Sequence, residues 1–240
     1  MNEARSAMHI GTVKYLYRYP VKSLLGEQCV RLDVDQRGVG NDRLYAINNS
    51  EGKFGSHKNT RRFRKMNGLF ELRATVRDGI TWIVFPDGHQ LACDDPEMNS
   101  RLSEVIGQPV TLKPEATISH FDDGAIHILT SASLSWLQVL LPRLAIDARR
   151  FRPNIVVDCE GSEPLEGTWL GRTLQVGTCE LEIVSETKRC VMTTLAHNEL
   201  PHEPEILRTL SQQTDLKFGV YATVLRQGAL KYRDSVSFTK

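Results

Sequence analysis

Four short segments carry residue types that could together hold an anionic ligand and react with it. They are Tyr19-Pro20-Val21-Lys22-Ser23, Asn41-Asp42-Arg43, Arg149-Arg150-Phe151-Arg152-Pro153-Asn154 and Thr187-Lys188-Arg189-Cys190. Each sets a cation and a hydrogen-bonding side chain beside a stretch of strand-forming residues. Arginine offers a planar fork of donors that matches phosphate, lysine a point charge, and Ser, Thr and Asn neutral donors. Cys190 follows two cations, and cations beside a thiol favour the thiolate, the form that binds soft metals or attacks electrophiles. Each segment also has a plainer reading. Cysteine is among the most buried residue types, so a core thiol beside solvated Lys188 and Arg189 is the commoner case. Arg149 and Arg150 read as a solvated face, whereas Arg152 stands between a stiff Pro153 and an apolar strand.

Other candidates are weaker. Arg61-Arg62-Phe63-Arg64-Lys65 could grip a phosphate or a polyanion, but charge runs are more often solvated surface. The seven histidines show no H-E-x-x-H or other paired metal spacing. His120 and His127 are read as structural, and the acid–base neighbours in His120-Phe121-Asp122-Asp123 have no catalytic specificity by spacing alone. The cysteines at 29, 93, 159, 179 and 190 are odd in number and widely spaced. Without a C-x-x-C pair they offer no zinc-ribbon, thioredoxin-like or iron–sulfur signal, and free thiols are expected. A net charge of +1 gives no global reason to expect nucleic acid. Apolar runs such as 136–141 fall far short of the roughly 20 residues that span a bilayer. The opening MNEARSAMHI lacks a leader pattern. A cytoplasmic protein without membrane or nucleic-acid partners is expected.

The elements that must position these residues are mostly short strands: 11–17, 29–34, 44–48, and a hairpin of 69–76 with 80–85 around Asp78-Gly79. Strands are expected again at 154–158, 173–176, 179–186 and 220–226. Helices are expected at 96–106, stopped by Gly107; at 131–141, capped near Ser131 or Ser133 and ended by Pro142; and at 204–212, with Pro204 in the first turn. The fold class is mainly β with a few helices, in barrel or sandwich form. A weakly hydrophobic seam at 113–116 divides an N-terminal part, 1–112, from a C-terminal part, 113–240.

In chain order, YPVKS, N-D-R, I-L-T-S-A-S-L, R-F-R-P-N-I and K-R-C-V-M-T-T resemble the MOSC family, named for the C-terminal domain of molybdenum-cofactor sulfurase. The likeness is greatest to the branch holding the mitochondrial amidoxime-reducing component and its bacterial relatives. It implies an N-terminal β-barrel domain over 1–112, a MOSC β-barrel domain over 113–240, and a pyranopterin-dithiolene molybdenum cofactor in a cationic cleft between them. By the same resemblance Lys22 and Ser23 contact the cofactor and Arg43 faces it. Thr130 and Ser133 lie where a cleft helix begins, Arg152 and Asn154 grip the pterin phosphate, Arg189 adds a contact, and Cys190 ligates the metal as the catalytic centre. The implied activity is an oxidoreductase that reduces N-hydroxylated compounds with electrons from a separate ferredoxin- or cytochrome-like partner. A persulfide carrier on Cys190 and a non-catalytic anion-binding barrel are the alternatives. Pyridoxal phosphate is tied to the family only through the fused sulfurase, and no lysine here suits it. Ser56-His57-Lys58-Asn59 replaces an Ala-Arg-Gln segment of the amidoxime reducers, and Tyr232-Arg233-Asp234 lacks the usual glycine. Resemblance is poorest in 53–64 and 195–204. A terminal ferredoxin domain and a membrane anchor are expected to be absent.

Overall fold

The computed structural model describes residues 8–197 and 199–239. Residues 1–7, on which most of the leader reading rests, Asn198 in the 195–204 loop, and the terminal Lys240 lie outside the described residues. The first half supplies β1 (Met8–Arg18), β2 (Glu27–Cys29), β3 (Arg31–Asp35), β4 (Gly38–Val39), β5 (Tyr45–Asn49), β6 (Phe54–Ser56), β7 (Phe63–Lys65), β8 (Arg73–Arg77), β9 (Ile80–Val84), β10 (Gln90–Ala92), α1 (Met98–Ile106) and β11 (Val110–Pro114). The second supplies β12 (Ile126–Thr130), α2 (Ser131–Leu140), β13 (Ile155–Asp158), β14 (Thr173–Val176), β15 (Cys179–Lys188), α3 (Pro204–Thr214), β16 (Lys217–Arg226), β17 (Gly228–Lys231) and β18 (Ser235–Thr239). The fold is mainly β, as the sequence indicates.

Seven strands close a barrel in the order β13-β12-β16-β15-β14-β18-β1, with β1 pairing back onto β13. The closing strand therefore comes from the start of the chain. Successive side chains in a strand point to opposite faces. Val13, Leu16, Ile128, Ile155, Val157, Leu174, Val176, Leu181, Ile183 and Val236 accordingly share one interior cluster. Trp169 packs edge-on against Phe238 in the same cluster, ring centroids 5.9 Å apart. A barrel of this size is filled by its own side chains, so chemistry must sit at its rim. The N-terminal part packs the sheets β11-β5-β6-β7 and β10-β9-β8 with α1 around Ile47, Met66, Leu72, Ile83 and Leu102.

Several local expectations change. Residues 69–76 are not one strand: Leu69–Glu71 forms a 3-10 turn before β8. Leu69 and Leu72, three residues apart, are both fully buried, which a helical turn allows and strand alternation does not. The 29–34 run splits at the exposed Val30 into β2 and β3, which join different sheets. β12 has no alternating signal because all five residues are buried, and it pairs in parallel with β13. The hairpin turn holds, with Asp78 and Gly79 both at positive φ, 51° and 79°. No helix among the described residues is long and apolar enough to cross a membrane.

Candidate functional site

Beside the barrel rim lies a cavity of about 440 Å³ whose walls come from both halves of the chain. The 19–23 turn leaves β1, and its Lys22 N–H bonds the Tyr45 carbonyl at 2.8 Å. The 41–43 turn is stitched to it: Arg43 N–H donates to the Tyr19 carbonyl, and Asp42 Oδ1 accepts the Tyr19 N–H at 2.7 Å. Residues 149–154 lead into β13, and 188–190 leave β15. Lys22, Ser23, Arg43, Arg152, Arg189 and Cys190 all line this one cavity.

Three lining residues hold left-handed backbone without being glycine: Ser23 (φ 68°), Arg43 (φ 49°) and Arg152 (φ 54°). Such conformations cost on the order of 1 kcal/mol or more each and gather at functional sites. Arg152 also precedes a proline, where extended backbone is the norm. The left-handed turn aims its side chain inward, to Nη1–Leu24 carbonyl at 2.7 Å and over the Tyr19 ring at 4.2 Å. Arg43 takes another position on Tyr19, 4.9 Å from the ring. One buried aromatic thus seats two guanidinium groups.

Charge in the cavity is one-sided. Its lining contains eight Lys or Arg side chains against Asp122 and Asp123. Arg43 is neutralised by the fully buried Asp42. Burial opposes the Arg43 charge, but the carboxylate more than offsets this, and its pKa is raised. Lys22 donates to the His120 carbonyl at 2.6 Å and to Asp122 at 2.7 Å, yet burial still pulls its pKa down to about 8. Arg152 and Arg189 have only carbonyl and ring partners, and burial lowers both. Arg189 bonds the carbonyls of Phe218 and Phe151, and its Nη2 meets His127 Nε2. Burial, reinforced by Arg189, holds the His127 pKa far below its ordinary value, so the ring is neutral and accepts from the guanidinium. Gly219, at φ 89°, makes room for this pair: a Cβ there would lie 2.5 Å from His127 Nε2 and 3.0 Å from Arg189 Nη2.

Three expected contacts stand outside the cavity lining. Asn154 is fully buried behind Arg43, where Oδ1 accepts the His127 N–H at 3.1 Å and faces Arg43 Nη1 at 3.5 Å. Thr130, rather than Ser131 or Ser133, caps α2 by accepting the Ser133 N–H at 3.0 Å. The Thr130 and Ser133 hydroxyls both donate to Glu166 Oε2, at 2.8 and 2.6 Å. The acceptor at this helix start is the protein's own Glu166, a carboxyl whose pKa burial raises, so both hydroxyls are engaged within the protein.

Other lining residues come from segments to which the sequence assigns no firm role: Lys58 from the 53–64 stretch of poorest resemblance, Phe63 from the 61–65 run and Asp122 from the 120–123 run. Lys58 Nζ lies 3.9 Å from Cys190 Sγ, and Phe63, Asp122, His127 and Tyr221 complete the walls. Of the 61–65 basic run, Arg62 turns inward to the Ser119 and Phe121 carbonyls, while Arg64 pairs with Glu51 on the surface. Only the basic character of Lys58 and Arg62 was a local signal. His127 and Tyr221 gain their position from the β12–β16 pairing.

Residues 115–237 match the MOSC domain, and residues 10–110 match the MOSC N-terminal beta barrel domain. The chain is 29% identical to mitochondrial amidoxime reducing component 2 of Rattus norvegicus, over 62% of this chain and 46% of that protein. It is 23% identical to molybdenum cofactor sulfurase of Oryza sativa subsp. japonica, over 81% of this chain and 29% of that protein. The chain thus spans less than half the length of these two relatives. A crystal structure of a hypothetical protein shares the fold at 10% identity, with a TM-score of 0.51 over 98% of this chain and 70% of the other. From its N-terminal barrel match to its C-terminal domain match, the chain belongs to the MOSC domain family.

Proposed function

We propose that the chain is a cytoplasmic oxidoreductase that binds a pyranopterin-dithiolene molybdenum cofactor through Cys190 and reduces N-hydroxylated compounds. One observation carries this reading: a half-buried thiol shares a cavity with buried guanidinium groups that lack carboxylate partners. Unpaired buried cations are costly, and an anionic ligand offsets that cost. The donor set suits the group, because a soft metal takes thiolate and a phosphate takes arginine and lysine. The cavity is within the range of about 300–1,000 Å³ that small-ligand sites occupy.

In this reading Arg152, with one N–H on Leu24, turns its remaining donors to the phosphate, and Lys22 adds a point charge. Ser23 and Arg189 contact the pterin, and Tyr19 keeps Arg43 and Arg152 in place. Asn154, Thr130 and Ser133 act from behind, by fixing Arg43 and the start of α2. When bound, the cofactor supplies two-electron removal of oxygen from an N–OH group, giving N–H and water with two protons. The electrons come from a separate ferredoxin- or cytochrome-like donor protein. The cytoplasmic setting is supported by five free cysteines.

The test is metal analysis of protein from a host that makes the cofactor. Stoichiometric molybdenum is expected in the wild type, with reduction of an amidoxime. Cys190→Ala should keep the melting temperature of cofactor-free wild type and lose activity, with molybdenum below about a tenth. Molybdenum-free wild type, or full retention in the variant, overturns the proposal. Cyanide-labile sulfur on Cys190 in pterin-free protein would instead identify a persulfide carrier.

A further inference from the structure

Lys58 lies in the loop after β6, half-buried, with its Nζ 3.9 Å from Cys190 Sγ. Among the described residues no carboxylate lies within ion-pair distance of it. Its ammonium instead sits over the Phe63 ring at 5.1 Å. The same ring takes Lys22 Nζ at 5.2 Å and the Arg62 guanidinium at 5.6 Å. Asp122, whose carboxylate feels the Lys58 charge, is bonded to Lys22 and lies outside ion-pair distance of Lys58. An aromatic face holds a cation in place without neutralising it. Lys58 is therefore a fixed positive charge within 4 Å of the sulfur, in a cavity already rich in cations, and such a site concentrates anions.

We propose that Lys58 selects small substrates that carry an anionic oxygen, a carboxylate or a free oxoanion, close to the atom that meets the Cys190 centre. This deepens, and rests on, the assignment of Cys190 as the reactive centre. The anionic oxygen accepts from Lys58 Nζ and is drawn to the sulfur side of the cavity. A neutral substrate gains nothing from Lys58, and a cationic one is repelled.

The test uses the full chain, purified without molybdenum from a host that cannot make the cofactor. Cys190 is alkylated with iodoacetate or iodoacetamide and followed by peptide mass. Both reagents lose iodide as the sulfur–carbon bond forms, and both consume the same thiolate. Their rate ratio is therefore blind to how much thiol is deprotonated and reads the charge preference at the sulfur. Lys58→Met should lower the iodoacetate-to-iodoacetamide ratio about fivefold, the effect of one unit charge near 4 Å in a wet site. Lys58→Arg should keep the ratio, and other cysteines should show no change. An equal ratio in wild type and Lys58→Met overturns the proposal. Competition against iodoacetamide separates the two sources: protection by acetate that Lys58→Met removes points to carboxylates, and protection by sulfate alone points to free oxoanions. Metal analysis of cofactor-loaded protein is independent of this ratio, so loss of the molybdenum reading would be seen separately.

Discussion

The barrel interior and the cavity at its rim are built on opposite terms. Inside the barrel, apolar side chains from seven strands fill the space, and the ladder is broken only by bulges along β1 and between β15 and β16. In the cavity, three residues have left-handed backbone and several buried cations lack acids. The interior holds only groups that stabilise the fold, whereas the cavity holds groups that the fold tolerates for a ligand. Truncation in the first region should thus lower stability without touching ligand binding, and neutralisation of the acid-free cations in the second should do the reverse.

The largest expected effect is at the one buried cavity cation with a buried acid. Asp42→Asn leaves Arg43 unpaired and should cost about 3–5 kcal/mol in urea unfolding. Leu174→Ala, deep in the barrel, should cost about 3 kcal/mol with unchanged affinity for inorganic phosphate by calorimetry. Arg152→Met should weaken phosphate binding about tenfold, a loss of about 1.4 kcal/mol, while leaving stability equal or slightly higher. If it destabilises as much as Leu174→Ala, the contrast fails. The smallest effect is in pH. Anion binding needs the Lys22 ammonium, so phosphate affinity should fall a few-fold as pH rises through about 8, and Lys22→Met should abolish that dependence. Stability moves the other way. The unfolded chain keeps this proton up to its ordinary value near 10.5, so the lysine favours folding more as pH climbs from about 8 toward that value.

Much of the cavity was legible because its chemistry is written in residue type. Lys22, Arg43, Arg152 and Cys190 stand out as cations or a thiol beside apolar strands, and the same reading finds α1, α3 and the Asp78-Gly79 hairpin. What escaped depends on contacts between distant residues. Tyr19 reads as a strand end until Arg43 and Arg152 come to rest on it. His127 looks like core until Arg189, sixty-two positions away, meets its ring. Glu166 carries no sign that it will take the Thr130 and Ser133 hydroxyls. The 56–59 segment, a departure from the family pattern, brings Lys58 to Cys190.

The closure of the barrel by β1 has a consequence for biosynthesis. Met8 pairs with Phe238 and Val13 with Val157, so a strand made early waits for partners made far later. Until then β1 has only β2 beside it, at Leu16 to Arg18, and the rest of its edges stay open as a template for wrong pairing. Its loop-closure entropy must be overcome before most of the stabilising contacts form, which makes closure of the barrel slow. A nascent chain stalled before residue 155 should accordingly be protease-sensitive at β1 and bind chaperones, even with its N-terminal sheets complete.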